Sequence, residues 1–205
     1  MSKYLIKKTL ILNDDHKAII IKWFSKLQVQ ECFFFGKAYN GLKLRAELKR
    51  SFLPNGVMLK EGYWLLANQL FEEKSFLKAS DNHHQALAIF VAVAVFVKAN
   101  NENASFASQL SEKNKKNERN IMSSLRFNQL LASDTEEEFC RRLIRAVKLR
   151  GDGGVNLFSL ADSIFLWVKE KNNRQKNLLN NMEPFKRNSV RWAMDYYLTE
   201  KSIKE

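Results

Sequence analysis

The sequence is poor in the residues that interrupt helices, since it has seven glycines and two prolines in 205 residues. Apolar residues recur with helical spacing along nearly all of the chain, and such segments continue as helices where glycine and proline are rare. We therefore predict an all-α protein, a helical bundle in which two small helical halves pack together. A polar segment after Lys98 marks the expected division between an N-terminal half at 1–100 and an Arg-rich C-terminal half at 101–205.

Cysteine and histidine are also scarce, which limits the chemistry available to the chain. Cys32 and Cys140 lie in apolar segments without C-x-x-C spacing, so we predict two reduced, buried thiols in a cytoplasmic protein. The three histidines include no H-E-x-x-H motif, and we expect no zinc site and no other cofactor. His83 and His84 precede an apolar segment, where we expect them to form a polar helix cap. Without paired carboxylates or a nucleophile beside a base, the sequence favours a binding module over an enzyme.

The chain also lacks an apolar run of the length that crosses a membrane. The longest run, at 86–97, has twelve residues without a charge, whereas a membrane-spanning helix needs about 20. We therefore predict a buried central helix at 86–97. The first residues are basic and then apolar, but Lys7 and Lys8 interrupt the apolar run and no A-x-A site follows, so a signal peptide is not expected.

Positive charge is abundant. Lysine and arginine total 34 against 22 acidic residues, for a net charge of +12 and a pI near 9.7. A surplus of this size indicates a polyanionic partner, either nucleic acid or an anionic membrane surface. Arg45 and Arg50 are the only arginines before residue 101, and nine more follow. Arginine presents a flat, bidentate donor to phosphate, so the second half is the better candidate for the binding surface.

The segment at 133–154 has the clearest amphipathic pattern. Ser133 or Asp134 is expected to cap a helix whose first turn is acidic and whose last turn is basic, as the helix dipole favours. The apolar stripe consists of Cys140, Leu143, Ile144 and Val147. The opposite side carries Arg141, Arg145 and Lys148, with Arg142 beside them. This cationic ridge could contact a row of phosphates, or it could be the solvated face of an ordinary amphipathic helix, and the segment alone leaves both readings open.

In the first half, a helix capped by Asp14 or Asp15 is expected to reach about Gln28, and residues 32–40 are expected to form a loop. A short helix at 42–52 should bury its leucines at 44 and 48. The basic residues that this helix should present to solvent are Lys43, Arg45, Lys49 and Arg50.

In the second half, we predict a helix at 117–131 with Leu125 inward and Arg119 and Arg126 on one side, seven residues apart. A helix at 157–168 and a polar loop at 169–181 should follow. Pro184 is expected to open the last helix, on which Arg187 and Arg191 are four residues apart and Val190, Ala193, Met194 and Tyr197 pack inward. Arg191 can contact nucleic acid or pair with Asp195, and the sequence favours neither.

Five segments of the second half occur in a recognisable order. They are A-S-F-A-S-Q-L at 104–110, N-E-R-N-I at 117–121 with L-R at 125–126, F-C-R-R-L-I-R-A-V at 139–147, G-V-N-L-F-S-L-A-D-S-I-F-L-W at 154–167, and V-R-W-A-M-D-Y-Y at 190–197. Together with L-R-A-E-L-K-R at 44–50, they resemble the motifs of the CasB family, the small subunit of the type I-E Cascade complex of CRISPR immunity. The chain differs from the family pattern at Asn120 and Met194, where arginine is common, and at Lys49.

The resemblance implies an all-helical, non-catalytic subunit of a Cascade surveillance complex in antiviral defence. Family members usually occur as a pair, line the groove beside the guide–target duplex and hold the displaced DNA strand, which stabilises the R-loop. The expected partners are therefore guide RNA, target DNA, the other Cascade subunits and a second copy of the chain, in the cytoplasm and away from membranes. The residues expected to contact nucleic acid are Arg119, Arg126, Arg141, Arg142, Arg145, Lys148, Lys49, Arg50, Lys186, Arg187 and Arg191.

Two other classes of function fit the composition. A helical protein–protein scaffold could carry its positive charge incidentally. A membrane-surface protein would need a basic amphipathic helix with exposed aromatic residues.

Overall fold

The computed structural model describes residues 10–52, 54–72, 77–114, 118–176, 178 and 183–202, with side chains to residue 198. It is 66% helical, which confirms the all-α prediction. Within the described residues the α-helices are α1 (Asp14–Lys26), α2 (Gly41–Lys49), α3 (Glu61–Leu70), α4 (Asp81–Ala94), α5 (Phe106–Ser111), α6 (Ser124–Leu131), α7 (Glu136–Arg150), α8 (Leu157–Gln175) and α9 (Asn188–Ser202). Short 3₁₀ helices lie at Asn55–Leu59, Gly151–Gly153 and Pro184–Lys186.

The first helix begins one residue earlier than its acidic residues suggested. Asn13 is the N-cap, where its side chain accepts a hydrogen bond from the backbone N–H of His16 at 3.0 Å. The Nδ1 atom of His16 accepts the backbone N–H of Asn13 in return, also at 3.0 Å. This reciprocal pair is a capping box, and it leaves Asp14 and Asp15 in the first turn, where the helix dipole favours their charge.

The predicted loop at 32–40 is wrong, because this segment forms an antiparallel hairpin. Strand β1 (Cys32–Phe34) pairs with strand β2 (Lys37–Tyr39), with Cys32 opposite Tyr39 and Phe34 opposite Lys37. Phe35 and Gly36 connect the strands with φ values of 50° and 76°. Positive φ at both central residues is what a tight two-residue hairpin turn requires.

Helix α4 lies at the centre of the core. Every residue from Ala86 to Val95 is at most 1% exposed, which confirms the predicted burial, although the helix ends at Ala94 and not at residue 97. The helix packs against α3, α7 and α8. Its N-cap is Ser80, so the prediction that the two histidines form the cap is wrong. His84 instead bonds the hydroxyl of Tyr63 through Nδ1 at 2.8 Å.

Helix α8 is longer than its apolar pattern indicated, and it continues to Gln175 through part of the predicted polar loop. The polar residues of this extension have specific partners. Lys171 forms an ion pair with Glu136 on α7 at 2.6 Å. Glu170 is buried and accepts the backbone N–H of Asn188 at 2.7 Å, which holds the start of α9 against α8. Pairing of this kind makes a polar helix face compatible with close packing.

The last helix packs through different residues from those predicted. Pro184 opens a 3₁₀ turn, and α9 itself begins at Asn188. Trp192 and Tyr196 are buried, while Met194 is 42% and Tyr197 is 38% exposed. The ring of Trp192 lies 5.5 Å from that of Phe106 on α5. This contact packs α9 against α5.

A candidate nucleic-acid interface between α6 and α7

Helix α7 has the two faces that its sequence predicts. Cys140, Leu143, Ile144 and Val147 are all buried, and burial raises the pKa of the Cys140 thiol to about 12, so this thiol is neutral. The cap is Thr135, whose hydroxyl accepts the N–H of Glu138 at 3.2 Å, and the predicted caps at 133 and 134 are wrong. The hydroxyl of Ser133 is already used, because it donates to the carbonyl of Leu130 at the end of α6.

The helix predicted at 117–131 begins only at Ser124. Before it, the described residues on either side of 115–117 are joined by backbone hydrogen bonds, from Ile121 N–H to Glu112 O and from Asn114 N–H to Arg119 O. These bonds compete with helix formation for the same backbone groups. Leu125, predicted to face inward, is 69% exposed, and Phe127 and Leu130 face the core.

A groove with a volume of about 520 Å³ lies between α6 and α7. Arg126 on α6 faces three basic residues of α7 across it, and none of the described residues that line the groove is acidic. The described residues that line it are Met122, Arg126, Gln129, Arg142, Arg145, Lys148 and Leu149. Sequence reasoning predicted the four cations but missed Met122, Gln129 and Leu149. No sequence pattern identifies these three residues, since residues that line a groove between two helices need not recur at a helical spacing.

The arginines of α7 differ in how firmly they are held. Arg142 is half-buried, pairs with Glu138 at 2.7 Å and donates to the carbonyl of Gln129 and to the hydroxyl of Ser133. It therefore joins the two walls of the groove and is only partly the solvent-facing residue that we predicted. Arg126 and Arg145 are exposed and make no hydrogen bond or ion pair within the described part of the chain. Their guanidinium groups are available to a ligand.

The positive charge continues past the groove toward α2. The Nζ atom of Lys148 lies 4.5 Å from the ring centre of Phe96, and the Nζ atom of Lys49 on α2 lies 5.8 Å from the same ring. The pKa of Lys49 is lowered, first by burial and then by the positive charges of Arg45 and Lys148. Repulsion between neighbouring cations favours a bound anion at this position. Arg50 is exposed at the end of the same helix.

Several predicted contact residues do not line the groove. Arg141 pairs with Glu137 at 2.6 Å, and Lys186 pairs with Glu183 at 2.9 Å. Arg119 precedes α6 and is therefore not on the same helix as Arg126, and Arg187 is exposed just before α9. The predicted pairing of Arg191 with Asp195 is wrong.

Arg191 lies 3.6 Å from Asp162 of α8, while Asp195 accepts a hydrogen bond from Ser105 at 2.7 Å. Asp162 also accepts the backbone N–H groups of Leu10, Ile11 and Leu12. Arg191 therefore belongs to the contact that holds the start of the described chain against α8.

Two arginines have a structural role that sequence reasoning missed. Arg45, expected to face solvent, donates to the carbonyls of Val95 and Val97 and to the side chain of Gln28. Arg150 has a side chain only 2% exposed and bonds the carbonyls of Gln109, Gly153 and Gly154 and the carboxylate of Glu112. The glycine-rich turn that follows Arg150 was the available signal, because Gly151 and Gly154 adopt positive φ where the chain wraps around the guanidinium.

Comparison with known proteins identifies the family. Neither the curated proteins nor the solved structures yielded a match to the chain. In the described part of the chain, no helix has the length and apolarity needed to cross a membrane, and no three His, Cys, Asp or Glu side chains are grouped to hold a metal ion. The family of CRISPR-associated protein Cse2 matches over residues 44–197, well over half of the sequence. The chain therefore belongs to the Cse2 family, the CasB small subunit of the type I-E Cascade complex.

Proposed function

We propose that this Cascade subunit binds the phosphate backbone of guide, target and displaced strands, and that the groove between α6 and α7 is its main contact. The observation that carries the proposal is the groove lining, whose described residues include Arg126, Arg142, Arg145 and Lys148 and no acidic residue. Arginine and lysine neutralise phosphates and release the counterions around them, which supplies affinity for any sequence.

The spacing of these residues suits a row of phosphates. Arg142 and Lys148 are six residues apart on α7, roughly 9 Å along the helix axis. Successive phosphates of one strand advance about 3.4 Å along a duplex, so the groove can contact two or three of them. No aromatic ring for base stacking occurs among the lining residues that the structure describes, which favours contact with the backbone over recognition of bases.

Basic residues outside the groove supply the weaker contacts with nucleic acid in this proposal. Lys49 and Arg50 extend the positive surface along α2, beyond the ring of Phe96. Arg119, Arg141, Lys186, Arg187 and Arg191 lie outside the groove, so we assign them a smaller part in binding. In this proposal the subunit acts in the cytoplasm, pairs with a second copy of itself and contributes no catalysis to Cascade.

Reversing the charge of Arg126 and Arg145 together tests the proposal. These residues stand on opposite walls of the groove, and neither supports the fold through a hydrogen bond or ion pair in the described chain. The double variant, Arg126→Glu with Arg145→Glu, should bind single-stranded DNA at least tenfold more weakly at moderate salt. The slope of log affinity against log salt should also flatten by about 1.4, since each lost phosphate contact contributes about 0.7.

A matched control shows whether weaker binding comes from changes within the groove or only from the change in net charge. Lys169 on α8 and Lys176, directly after that helix, are exposed and do not line the groove, and Lys169→Glu with Lys176→Glu changes the net charge by the same amount. This control should keep nearly all of the wild-type affinity. Equal losses in both variants would contradict a specific groove, and no loss in either would favour a protein–protein scaffold whose charge is incidental. A loss that depended on base sequence would indicate base recognition.

A further inference from the structure

The hairpin β1–β2 exposes two aromatic rings. Cys32 and Phe34 are buried on its inner face, while Phe33 is 55% exposed and Phe35 at the tip is 63% exposed. Side chains directly opposite on paired strands share a face, and the residue opposite Phe33 is Ala38. The methyl group of Ala38 is small, so the ring of Phe33 remains open to a flat partner. The hairpin also precedes residues 44–197, over which the family match extends.

Folding alone does not explain the phenylalanine at the tip. Phe35 has a φ of 50°, a conformation that bulky residues adopt unfavourably and that asparagine or glycine adopts at such turns. Its side chain is exposed, so it contributes little to the core. A residue that disfavours the turn and does not pack within the chain is better explained by an external contact.

The charge around the rings favours an anionic partner. Between residues 22 and 43 the chain has four lysines, Lys22, Lys26, Lys37 and Lys43, against the one carboxylate of Glu31. The Nζ atom of Lys26 lies 4.1 Å from the centre of the Phe34 ring and donates to the carbonyl of Phe33. Exposed aromatic rings among cations are the arrangement that binds single-stranded nucleic acid, since bases stack on the rings and phosphates pair with the cations.

Helix α2 connects this hairpin to the groove. Asn40, directly after β2, caps α2, and a side chain at Gly41 would collide with the carbonyls of Lys26 and Val29, so the helix start is held closely against the end of α1. The nine residues of α2 span roughly 13 Å. Its exposed residues include Lys43 near the hairpin and, at its other end, Lys49, whose Nζ atom lies over the ring of Phe96 that Lys148 also contacts. A strand leaving the groove can therefore follow α2 to the hairpin.

We infer that Phe33 and Phe35 form a stacking platform for unpaired bases of a single strand whose backbone is bound in the α6–α7 groove. This inference rests on the proposed function and adds a second kind of contact to it. The groove holds phosphates of any strand, whereas the hairpin selects strands whose bases are free to stack. It thereby distinguishes unpaired nucleic acid from duplex.

The test uses the full chain and two fluorescent probes of equal length, an oligothymidine and a strand of abasic nucleotides. Phe33→Ala with Phe35→Asn removes both rings and keeps a residue suited to the turn at 35. This variant should bind oligothymidine more weakly by about tenfold for each ring. Its affinity for the abasic strand and its salt slope should match those of the wild type. Phe185→Ala removes a ring that is 71% exposed elsewhere and should change neither affinity.

Measuring the hairpin variant beside the groove variant, Arg126→Glu with Arg145→Glu, distinguishes failure of the platform from failure of the groove. If the hairpin variant binds both probes like the wild type while Arg126→Glu with Arg145→Glu binds weakly, the platform is refuted and the groove stands. If only the hairpin variant loses affinity, the groove is refuted, and with it the part of the inference that places the backbone there, while stacking on the hairpin is supported. If the wild type binds neither probe, both fail. A hairpin variant with wild-type affinity that no longer enters an assembled complex would show that the hairpin contacts a protein, which also refutes the platform.

Discussion

Replacing Arg150 with methionine should destabilise the protein without affecting the groove. The Arg150 guanidinium donates to the carbonyls of Gln109 and Gly154 at 2.8 and 2.9 Å and to the carboxylate of Glu112 at 2.6 Å. These bonds connect the end of α7 to α5 and to the glycine turn. Methionine fills a similar volume but donates no hydrogen bond, so the variant leaves all three acceptors without their donor.

The expected loss follows from burial and charge. Removing one partner of a buried ion pair costs about 3–5 kcal/mol. Water can solvate part of the Glu112 carboxylate in the variant, because that side chain is 39% exposed. We therefore expect a loss near the lower end, about 3 kcal/mol in the free energy of unfolding. For a chain of this length, each kcal/mol lowers the melting temperature by about 2–4 °C, so the shift should be about 6–12 °C.

The assay is thermal and urea unfolding followed by circular dichroism. Arg145→Met is the matched control, because Arg145 is on the same helix but exposed, and its unfolding free energy should stay within about 0.5 kcal/mol of the wild type. The two variants should separate stability from binding, since Arg145→Met should weaken binding of DNA and Arg150→Met should not. A melting temperature of Arg150→Met equal to the wild type would refute the reasoning.

Two further predictions concern the core and the first helix. Val93→Asp places an unpaired charge at a fully buried position of α4 and should lower the free energy of unfolding by more than about 4 kcal/mol. Val29→Asp, at a 46% exposed position, should lower it little. An unchanged melting temperature for Val93→Asp would contradict the burial of this residue. Burial lowers the pKa of His16 below 6.5 in the folded chain. As the pH falls, the unfolded chain therefore binds a proton at His16 before the folded chain does. Neutral His16 thus contributes its full stability above pH 6.5, and this contribution declines as the pH falls below 6.5. Urea unfolding at about pH 8 and about pH 5.5 should therefore show a smaller loss in His16→Gln than in the wild type, and equal losses would exclude His16 as the cause.

Helical periodicity alone was enough to predict burial where the buried face of a helix is apolar in its own sequence. The apolar stripe of α7 and the apolar run of α4 are buried as expected, because an apolar face leaves water whatever it packs against. The charge on the opposite side of α7 likewise indicated three of the residues that line the groove, Arg142, Arg145 and Lys148. These properties are local, so the order of residues along one helix suffices to predict them.

Only the tertiary structure decided which cations are available to a ligand. Arg126 and Arg145 are available, whereas Arg45 and Arg150 are held by carbonyl groups far away in the sequence. All four belong to amphipathic segments with similar patterns, and no local pattern reveals a distant acceptor. The hairpin and the late start of α6 have a different origin, since they come from backbone hydrogen bonds between residues at most twelve apart, which helical periodicity does not reveal. Local periodicity therefore determined the helices and their buried faces, and long-range hydrogen bonds determined which arginines face the groove.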